Sequence, residues 1–439
     1  MLSAFVRAFK TPDLRRKLLF TLAVMAIFRL GSFVPTPGVS YPNVQSCITQ
    51  SDGANDLLGL VNLFSGGALL QLSIFALGIM PYITASIIVQ LLTVVIPRFE
   101  TLKKEGQSGT TKLTQYTRYL TIGLAVLQST TYVAVARSGN LFPNCALAQE
   151  IIPNDSVTTV LLMVITMTAG TGLIMWLGEL ITERGVGNGM SLLIFTSITA
   201  TFPTSLWAIG TDPNQGYGVM AIVIAVGLLV VAAVIFVEQS QRRVPVQYAK
   251  RMVGRRAYGG SSTYIPIKVN MAGVIPVIFA SSLLYLPALL AQFNSTGDGS
   301  DPEWVVWINN TLVSGDHPLY IAFYFLLIIF FTYFYVSITF NPEEVAENIK
   351  KVGGFIPGIR AGRPTAEYLE YILSRITLPG ALYLGMVALI PLIALVLVGA
   401  NQNFPFGGTS ILIIVGVGLE TVKQIQSQLQ QRHYEGFLR

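Results

Sequence analysis

Apolar residues follow one another along this chain in long stretches, separated by shorter polar or charged segments. Stretches of about 20 apolar residues have the length that an α-helix needs to cross a bilayer. The predicted spans lie near residues 18–35, 71–96, 115–136, 157–178, 189–209, 217–237, 271–292, 318–340, 378–399 and 408–426. The pattern therefore predicts an all-α polytopic membrane protein with ten transmembrane helices.

One stretch does not fit a single span. Residues 57–96 contain no Lys, Arg, Asp or Glu, and glycines at 66–67 and Pro81 interrupt them. We expect a half-helix over residues 57–65, a glycine turn, and a full span over residues 71–96. A half-helix at membrane depth must be surrounded by protein or water, so we expect the other spans to enclose a cavity. The alternative is one long helix that lies along the surface before it spans.

Charge agrees with a membrane protein and orients it. Only 11% of the residues are charged and 52% are hydrophobic, against about 25% charged residues in soluble domains. Basic residues favour the cytoplasmic side, so the basic N-terminal segment predicts that both termini are cytoplasmic and that the first span is retained. The loops then expected outside carry the acidic residues Asp52, Asp56, Glu150, Asp155, Asp212, Asp298, Asp301, Glu303 and Asp316.

Ten spans divide into two sets of five, which predicts an N-terminal half over residues 1–209 and a C-terminal half over residues 210–439. An odd number of spans in each half means that related halves would have opposite topology, as in an inverted repeat. No residue-level similarity between the halves is visible, so this organisation follows from topology alone. The outer loop over residues 207–218 would be the connection between them.

Two long cytoplasmic loops, residues 239–268 and 341–377, precede a cytoplasmic tail over residues 427–439. The flanks of the first loop are rich in β-branched and aromatic residues, which predicts a hairpin-like arm. A cap at Asn341, followed by Pro342, predicts a short helix to Lys351 in the second loop. The basic residues of the first loop are Arg242, Arg243, Lys250, Arg251, Arg255, Arg256 and Lys268. Such a basic field attracts polyanions, or serves only to fix topology and contact anionic lipid.

Features of an enzyme are missing from the sequence. It contains neither a Gly-x-x-x-x-Gly-Lys-Ser/Thr phosphate loop nor a His-Glu-x-x-His motif. Its two histidines, His317 and His433, fall on opposite sides in the predicted topology. We therefore expect no enzymatic activity, no metal and no cofactor. Cys47 and Cys145 both fall in outer loops, where a disulfide is possible, but two cysteines are weak evidence and we expect a free pair.

The near absence of charge within the spans bears on transport. Spans four to nine carry no charged residue, whereas proton-coupled carriers use ionisable side chains near the midplane. The other spans do carry charged residues, among them Arg29 and, near the inner end of the last span, Glu420. Arg29 would either mark a substrate path or have a structural role, bonded to carbonyl groups or extended towards the interface, and we favour the structural role.

Short motifs along the whole chain resemble those of the bacterial SecY family, the central subunit of the protein-conducting channel. The motifs, in chain order, are NLFSGGAL at 62–69, IFALGIMPYI at 74–83, GVGNG at 185–189, YAKR at 248–251, KVNMAGVIP at 268–276 and FGGTS at 406–410.

The resemblance implies an hourglass pore closed by a plug over about residues 57–71, with the two halves hinged between spans five and six. The narrow point of the pore would be a ring of apolar side chains. One of them, Met190, departs from the family's usual isoleucine but keeps the ring apolar. Residues 79/83 and 190/194 are each four apart, so each pair lies on one helix face. The ring residues would be Ile79, Ile83, Met190, Ile194, Ile278 and Ile413. The plug would include Leu57, Asn62, Phe64, Ser65, Gly66 and Gly67.

The same resemblance implies a lateral gate between spans two and three on one side and seven and eight on the other. Polar residues that could bridge the gate are Thr84, Gln90, Gln128, Ser281 and Ser282. Partner contacts would come from Arg243, Arg255, Arg256 and Arg360.

In function, the resemblance implies a channel that passes unfolded secretory proteins across the cytoplasmic membrane and releases membrane segments into lipid. A docked SecA ATPase or a ribosome would drive it, with rRNA contacted through the basic loops. SecE and SecG would be further subunits, and signal sequences, nascent polypeptides and membrane lipids would also contact the chain. The alternatives are a small-solute carrier with inverted repeats and a membrane scaffold that tethers ribosomes.

Overall fold

The structure is a computed structural model that describes residues 9–50, 65–139, 141–142, 145, 147, 150–154, 156–211, 216–248, 251–253, 256–258, 262–294, 302–313, 317–398 and 408–435. The α-helices are α1 Pro12–Gly31, α2 Tyr41–Gln50, α3 Met80–Val95, α4 Pro97–Lys104, α5 Gln107–Arg137, α6 Val157–Arg184, α7 Gly189–Thr211, α8 Gly216–Gln239, α9 Ile275–Asn294, α10 Glu303–Ile308, α11 Pro318–Thr339, α12 Pro342–Lys351, α13 Arg363–Val398 and α14 Gly408–Glu435. A short π-helix, Asn309–Val313, follows α10.

A helix overlaps each of the ten predicted spans, and the all-α polytopic fold is confirmed. Among the described residues, five helices are long and apolar enough to cross a bilayer by length and composition alone, or six if a pair bent by 100° at its break counts as one span. That pair is Met80–Val95 with Pro97–Lys104. The first span, α1, is not among these helices, because it carries four basic residues in its last 18 positions.

The second span differs from its prediction. A continuous helix over residues 71–96 was expected, but α3 begins only at Met80, and residues 66–79 form a series of turns. We call residues 65–79 the stem. Gly66, Gly67, Gly78 and also Leu72, at φ 46°, adopt positive φ values, which a continuous right-handed helix does not accommodate.

Contacts with the end of α1 compensate for the missing helix. Thr36 donates a backbone hydrogen bond to the Leu72 carbonyl, and Ile74 donates one to the Val34 carbonyl, at 3.0 and 2.9 Å. Ala68 and Leu72 are fully buried. The described part of this region is thus enclosed by protein, which contradicts the alternative of a helix lying along the surface.

The core has two main hydrophobic clusters at the level of the spans. The larger joins side chains of α1, α3, α6, α7, α8, α9, α11, α13 and α14. The second joins α2, the stem, α5 and α6 around the buried Tyr132. Because the stem contributes to both clusters, its position depends on the packing of the surrounding helices.

The first long loop, residues 239–268, forms the predicted hairpin-like arm. Strands β1 Gln241–Tyr248 and β4 Ser262–Lys268 pair antiparallel, and the shorter strands β2 Arg251–Val253 and β3 Arg256–Tyr258 pair beyond them. Strand β5 Gly354–Phe355, from the second loop, adds to the other edge of β1. The two loops therefore form one platform.

The predicted short helix of the second loop is also confirmed. Helix α12 begins at Pro342, and the side chain of Asn341 accepts hydrogen bonds from the backbone N–H groups of Glu343 and Glu344 at 3.1 and 3.5 Å. A side-chain acceptor at this position satisfies N–H groups that have no partner within the helix. The second helix of the loop begins at Arg363 and continues into the ninth span as α13.

The expectation of free cysteines is wrong. Cys47 and Cys145, which are 98 positions apart in the chain, form a disulfide. Two hydrogen bonds draw the same loops together: Ser40 N–H donates to the Ile151 carbonyl at 2.9 Å, and Asn43 Nδ2 donates to the Glu150 carbonyl at 3.0 Å. Counting two cysteines in a sequence gives no sign of this tertiary approach.

Candidate functional site

The six residues predicted for the pore ring meet in the larger hydrophobic cluster. Ile79, Ile194 and Ile413 are 5% exposed or less, and Ile83 is 9% exposed. Met190 and Ile278 are partly buried and pack against the same cluster. These side chains come from four helices that are distant in sequence, α3 with the residue before it, α7, α9 and α14. The structure therefore places all six predicted ring residues within, or against, one hydrophobic cluster.

The first turn of α3 positions the first pair. The N–H of Ile83 donates to the carbonyl of Ile79 at 3.1 Å, so the two side chains lie one turn apart on the same side. Pro81 lies in this turn, where its missing N–H costs no intrahelical bond. Pro81 is therefore compatible with a helix that begins at Met80, directly after the stem.

The motif at 185–189 positions Met190. Asn188 Oδ1 accepts from the backbone N–H groups of Met190 and Ser191 at 3.1 and 3.4 Å, which caps the start of α7. A Cβ at Gly189 would lie 1.8 Å from the carbonyl oxygen of Gly178. Only glycine permits this approach of α7 to α6, and the approach fixes where the ring residues of α7 begin.

A cavity of about 430 Å³ adjoins the ring. Four of the six ring residues, Ile83, Met190, Ile194 and Ile278, line one part of it. The remaining lining is largely polar or charged and comes from α3, α5, α6, the residue before α7, the start of α7 and α9. It comprises Tyr82, Ser86, Gln90, Thr114, Arg118, Glu179, Thr182, Glu183, Asn188, Ser191, Ile275 and Phe279. The cavity thus has a polar part and an apolar part, and four of the predicted ring residues line the apolar part.

Sequence reasoning missed the charged pair of this cavity. Arg118 Nε and Nη2 donate to Glu179 Oε1 and Oε2, each at 2.8 Å, in a bidentate ion pair between α5 and α6. The fork geometry of arginine favours such a contact. The sequence did contain a signal, because Arg118 and Glu179 lie near the ends of two consecutive predicted spans that face the same side. The same pattern would also arise from two separate, solvated charges.

Ile278 lies in the first turns of α9, directly after the arm. Asn270, between β4 and α9, donates through Nδ2 to Glu238 Oε1 at 2.6 Å and to the carbonyl of Gly273 at 3.1 Å. Asn270 is 3% exposed. These bonds connect the end of α8 to the start of α9, so the arm is fixed at its base beside a ring helix.

The predicted gate residues lie on the helices that meet at this cavity, since α9 contacts both α3 and α5. Thr84 donates to the carbonyl of Met80 at 3.0 Å, and Ser281 donates to that of Ile278 at 2.9 Å, each within its own helix. Gln90 Nε2 lies 3.4 Å from Ser86 Oγ, also on α3.

Two further predicted gate residues are buried. Gln128, on α5, is 6% exposed, and Ser282, on α9, is 4% exposed. The Oγ of Ser282 has no hydrogen-bond partner in the described part of the chain.

The predicted plug falls only partly within the described residues. Leu57, Asn62 and Phe64 lie outside them. Ser65 is 1% exposed, and its Oγ accepts from the N–H of Leu69 at 3.1 Å. Gly66 and Gly67 have φ values of 70° and 89°. They form the turn that the sequence predicts.

Arg29 contacts this turn. Its Nη1 donates to the carbonyl of Gly66, and its guanidinium lies 4.7 Å from the ring centroid of Phe33. The bond to a carbonyl group that the favoured structural role predicts is therefore present.

The predicted partner contacts are distributed over the platform. Arg243 is exposed on β1, and its guanidinium lies 4.8 Å from the ring centroid of Tyr264 on β4. Arg360 is exposed shortly after β5. Arg256 lies in β3 with its side chain outside the described atoms, and Arg255 lies outside the described residues.

Comparison with known proteins gives a consistent result along the whole chain. A family model for SecY matches residues 73–422. A protein of Streptomyces galbus named protein translocase subunit SecY is 68% identical over 441 aligned residues, with complete coverage of both chains. A protein of the same name from Mycobacterium tuberculosis is 58% identical over 445 aligned residues, again with complete coverage.

Solved structures support the same fold. A structure titled as that of a protein conducting channel has a TM-score of 0.59 at 18% identity, covering 94% of this chain and 91% of that one. Sec61 in the canine ribosome–channel complex from the endoplasmic reticulum has a TM-score of 0.55, with the same identity and coverage.

Proposed function

The chain belongs to the SecY family, and from that premise we propose that it passes unfolded secretory proteins across the cytoplasmic membrane and releases transmembrane segments sideways into lipid. It is a multi-pass membrane protein, the subunit of a protein-conducting channel, and not an enzyme. The comparisons give no support to the small-solute carrier.

One observation carries the proposed path: apolar side chains of α3, α7 and α9 line one part of a cavity whose other lining is largely polar. Aliphatic side chains in a constriction exclude water and offer no fixed charge to an ion. They also have no hydrogen-bonding preference, so a chain of varied sequence can pass between them. We propose that Ile79, Ile83, Met190, Ile194, Ile278 and Ile413 form this ring.

Photocrosslinking tests the path. A photoreactive residue at Ile83, which lines the cavity, should crosslink to a secretory precursor arrested halfway across the membrane. The matched control is Ile222, which is 64% exposed on the surface of α8. A photoreactive residue there should give no adduct. The adduct at Ile83 should disappear when the signal sequence of the precursor is disabled. Equal adducts at both positions, or none at Ile83 with an active probe, would contradict the proposed path.

We propose that residues 57–71 close the pore at rest. The positive-φ turn supports this proposal, because Gly66 lies against Ser197 on α7, the helix that carries Met190 and Ile194. Deletion of residues 57–71 should raise the ion conductance of the resting channel in planar bilayers. Identical conductance of the deleted and intact channels would mean that the segment is no plug.

We propose that the lateral gate opens where α3 and α5 meet α9. Three predicted gate residues, Thr84, Gln90 and Ser281, have their observed hydrogen bonds within their own helices. Separating the helices would leave these bonds intact, so polar contacts of these residues would not resist the opening. Residues 1–209 and 210–439 would be the halves that separate, hinged at residues 207–218.

The membrane orientation is also a proposal. The disulfide lies on the side predicted to be outside, and disulfides persist in oxidising compartments. Helix α8 begins at Gly216, next to the loop predicted to be outside, and the basic arm follows its opposite end at Gln239. Both observations favour cytoplasmic termini and a location in the cytoplasmic membrane.

We propose that the platform formed by β1, β4 and β5 binds the motor, either SecA or a ribosome, and that SecE and SecG complete the complex. The β1–β5 pairing supports a single docking surface, because it joins the two loops that carry Arg243 and Arg360. Arginine forks can bind phosphate or carboxylate groups bidentately.

Charge reversal tests the docking surface. Arg243→Glu, Arg360→Glu and the pair Arg255→Glu with Arg256→Glu should weaken binding of SecA or ribosomes. For a ribosome, losing a phosphate contact should also make the salt dependence of binding less steep. Arg98→Glu is a suitable control, since Arg98 is exposed in another loop predicted on the same side. Unchanged binding of both partners to the variants would exclude these arginines from the interface.

A further inference from the structure

The stem is attached to the end of α1 at two places of different character. The attachment at residues 72–74, which we call distal, is backbone pairing. Thr36 and Ile74 each donate a hydrogen bond across an isolated β-bridge between Pro35 and Ser73. The Thr36 hydroxyl adds a second bond, at 2.6 Å, to the Leu72 carbonyl. Because several bonds act together here, residues 72–74 of the stem are firmly held.

The attachment at Gly66, which we call proximal, is a side-chain contact in the described part of the chain. Arg29 Nη1 donates to the carbonyl of Gly66, which is the first turn residue of the stem. Phe33, one turn further along, stacks beneath the guanidinium. Among the ion pairs of the described residues, none involves Arg29. In the described structure its charge is thus compensated by a carbonyl dipole and an aromatic ring.

The position of Arg29 makes this contact important. A charged side chain within a transmembrane helix is costly unless it finds polar partners. Burial without a partner would also penalise the carbonyl of Gly66. Displacing the turn from α1 would remove the partner of both groups at once, so the contact favours the arrangement seen in the structure.

Gly66 also contacts a ring helix. A Cβ at this position would lie 3.1 Å from Arg29 Nη1 and 3.2 Å from the Cα of Ser197 on α7. Helix α7 carries Met190 and Ile194. The turn therefore fits between α1 and α7, and Arg29 holds it from one side while a pore-lining helix limits it from the other.

We propose that Arg29 is a positioning residue that holds the Gly66 turn against α1 and thereby keeps the channel closed at rest. This proposal rests on the proposed function of residues 57–71 as a plug. The distal attachment at Leu72 stays in place when the channel opens, and the Arg29 contact is the one that breaks.

Conductance of the complete channel complex in planar bilayers tests the proposal. Arg29→Met keeps the length and apolar stem of the side chain but removes the donor. Hydrogen bonds to charged groups contribute enough to shift an equilibrium by about tenfold to a hundredfold, so we expect at least a tenfold rise in resting conductance. Arg29→Lys keeps a charged donor, and its conductance should lie between that of Arg29→Met and that of the original channel. Phe33→Leu, which keeps the Gly66 contact, should change conductance less than Arg29→Met.

Two neighbouring glycines provide a matched pair. Gly66 and Gly67 both have positive φ, so alanine is strained at either. A Cβ at Gly66 meets Arg29 and α7, whereas one at Gly67 meets nothing within 4 Å. Gly66→Ala should therefore raise resting conductance more than Gly67→Ala. Equal effects of the two substitutions would overturn the assigned role of the Arg29 contact.

Combining Arg29→Met with deletion of residues 57–71 separates the possible failures. If Arg29 acts through the plug, the substitution adds nothing in the deleted channel, because Gly66 is gone. An equal fold-rise in both backgrounds would show that Arg29 acts elsewhere and would overturn the proposal. Unchanged conductance of Arg29→Met, with a leaking deletion variant, would overturn the Arg29 role alone. A deletion variant that does not leak would overturn the plug and this proposal together. Retained assembly of Arg29→Met with its partner subunits excludes misfolding as the cause of its leak.

Discussion

Replacing Cys47 or Cys145 by alanine is expected to lower the stability of the outer side of the protein by several kcal/mol. The disulfide joins positions 98 residues apart. In the chain-entropy description, closing a loop of about 100 residues stabilises by about 4.7 kcal/mol. Helices that persist in the unfolded chain within a bilayer shorten the effective loop. Each halving of loop length removes only about 0.6 kcal/mol, so a fourfold shortening still leaves about 3.5 kcal/mol.

Thermal unfolding of the purified protein, with and without reductant, measures this effect. At about 2 °C per kcal/mol for a large domain, each single variant should lose roughly 5 to 10 °C in Tm. Because both substitutions remove the same bond, the double variant should lose no more than either single variant. Reductant should lower the Tm of the original protein and leave the variants unchanged.

Two results would refute this reasoning. Additive effects of the two substitutions would mean that each cysteine acts through its own packing rather than through a shared bond. Labelling of two thiols by a maleimide in the unfolded, unreduced protein would show directly that the cysteines are free.

The remaining predictions concern the close approach of α6 to α7, the cap of α12 and the distal attachment of the stem. Gly189→Ala should destabilise the protein by more than about 3 kcal/mol, as seen in a lower Tm, because its Cβ would meet the Gly178 carbonyl at 1.8 Å; Gly123→Ala, with nothing within 4 Å, should leave the Tm nearly unchanged, and equal effects would contradict the clash. Asn341→Ala should cost about 1 kcal/mol through loss of the helix cap, and Asn341→Asp, which can still accept the bonds, should restore the original Tm. Thr36→Val should cost about 1 kcal/mol through loss of a buried hydroxyl bond at 2.6 Å; since its backbone N–H still holds the stem, resting conductance should stay unchanged, and a leak would assign a gating role to the distal attachment.

Local sequence signals predicted much of the fold. Helix and arm boundaries follow from apolar length, from caps such as Asn341 and from β-branched flanks, because each of these acts over a few neighbouring residues. The glycine turn at residues 66–67 was also correct, since positive φ favours glycine. The helix start at Met80 was not predicted. The turns before it depend on hydrogen bonds to α1 that no local pattern encodes.

The sequence by itself determined that this chain crosses a membrane many times, where its polar arm lies, and, through its motifs, which family it resembles. Apolar length and charge are properties of a segment, so they can be read without knowing its neighbours. Only the tertiary structure decided that Cys47 and Cys145 pair, that Arg118 contacts Glu179, and that Arg29 holds Gly66. Each of these contacts joins groups 37 or more residues apart, and their approach is set by the packing of whole helices rather than by the residues around them.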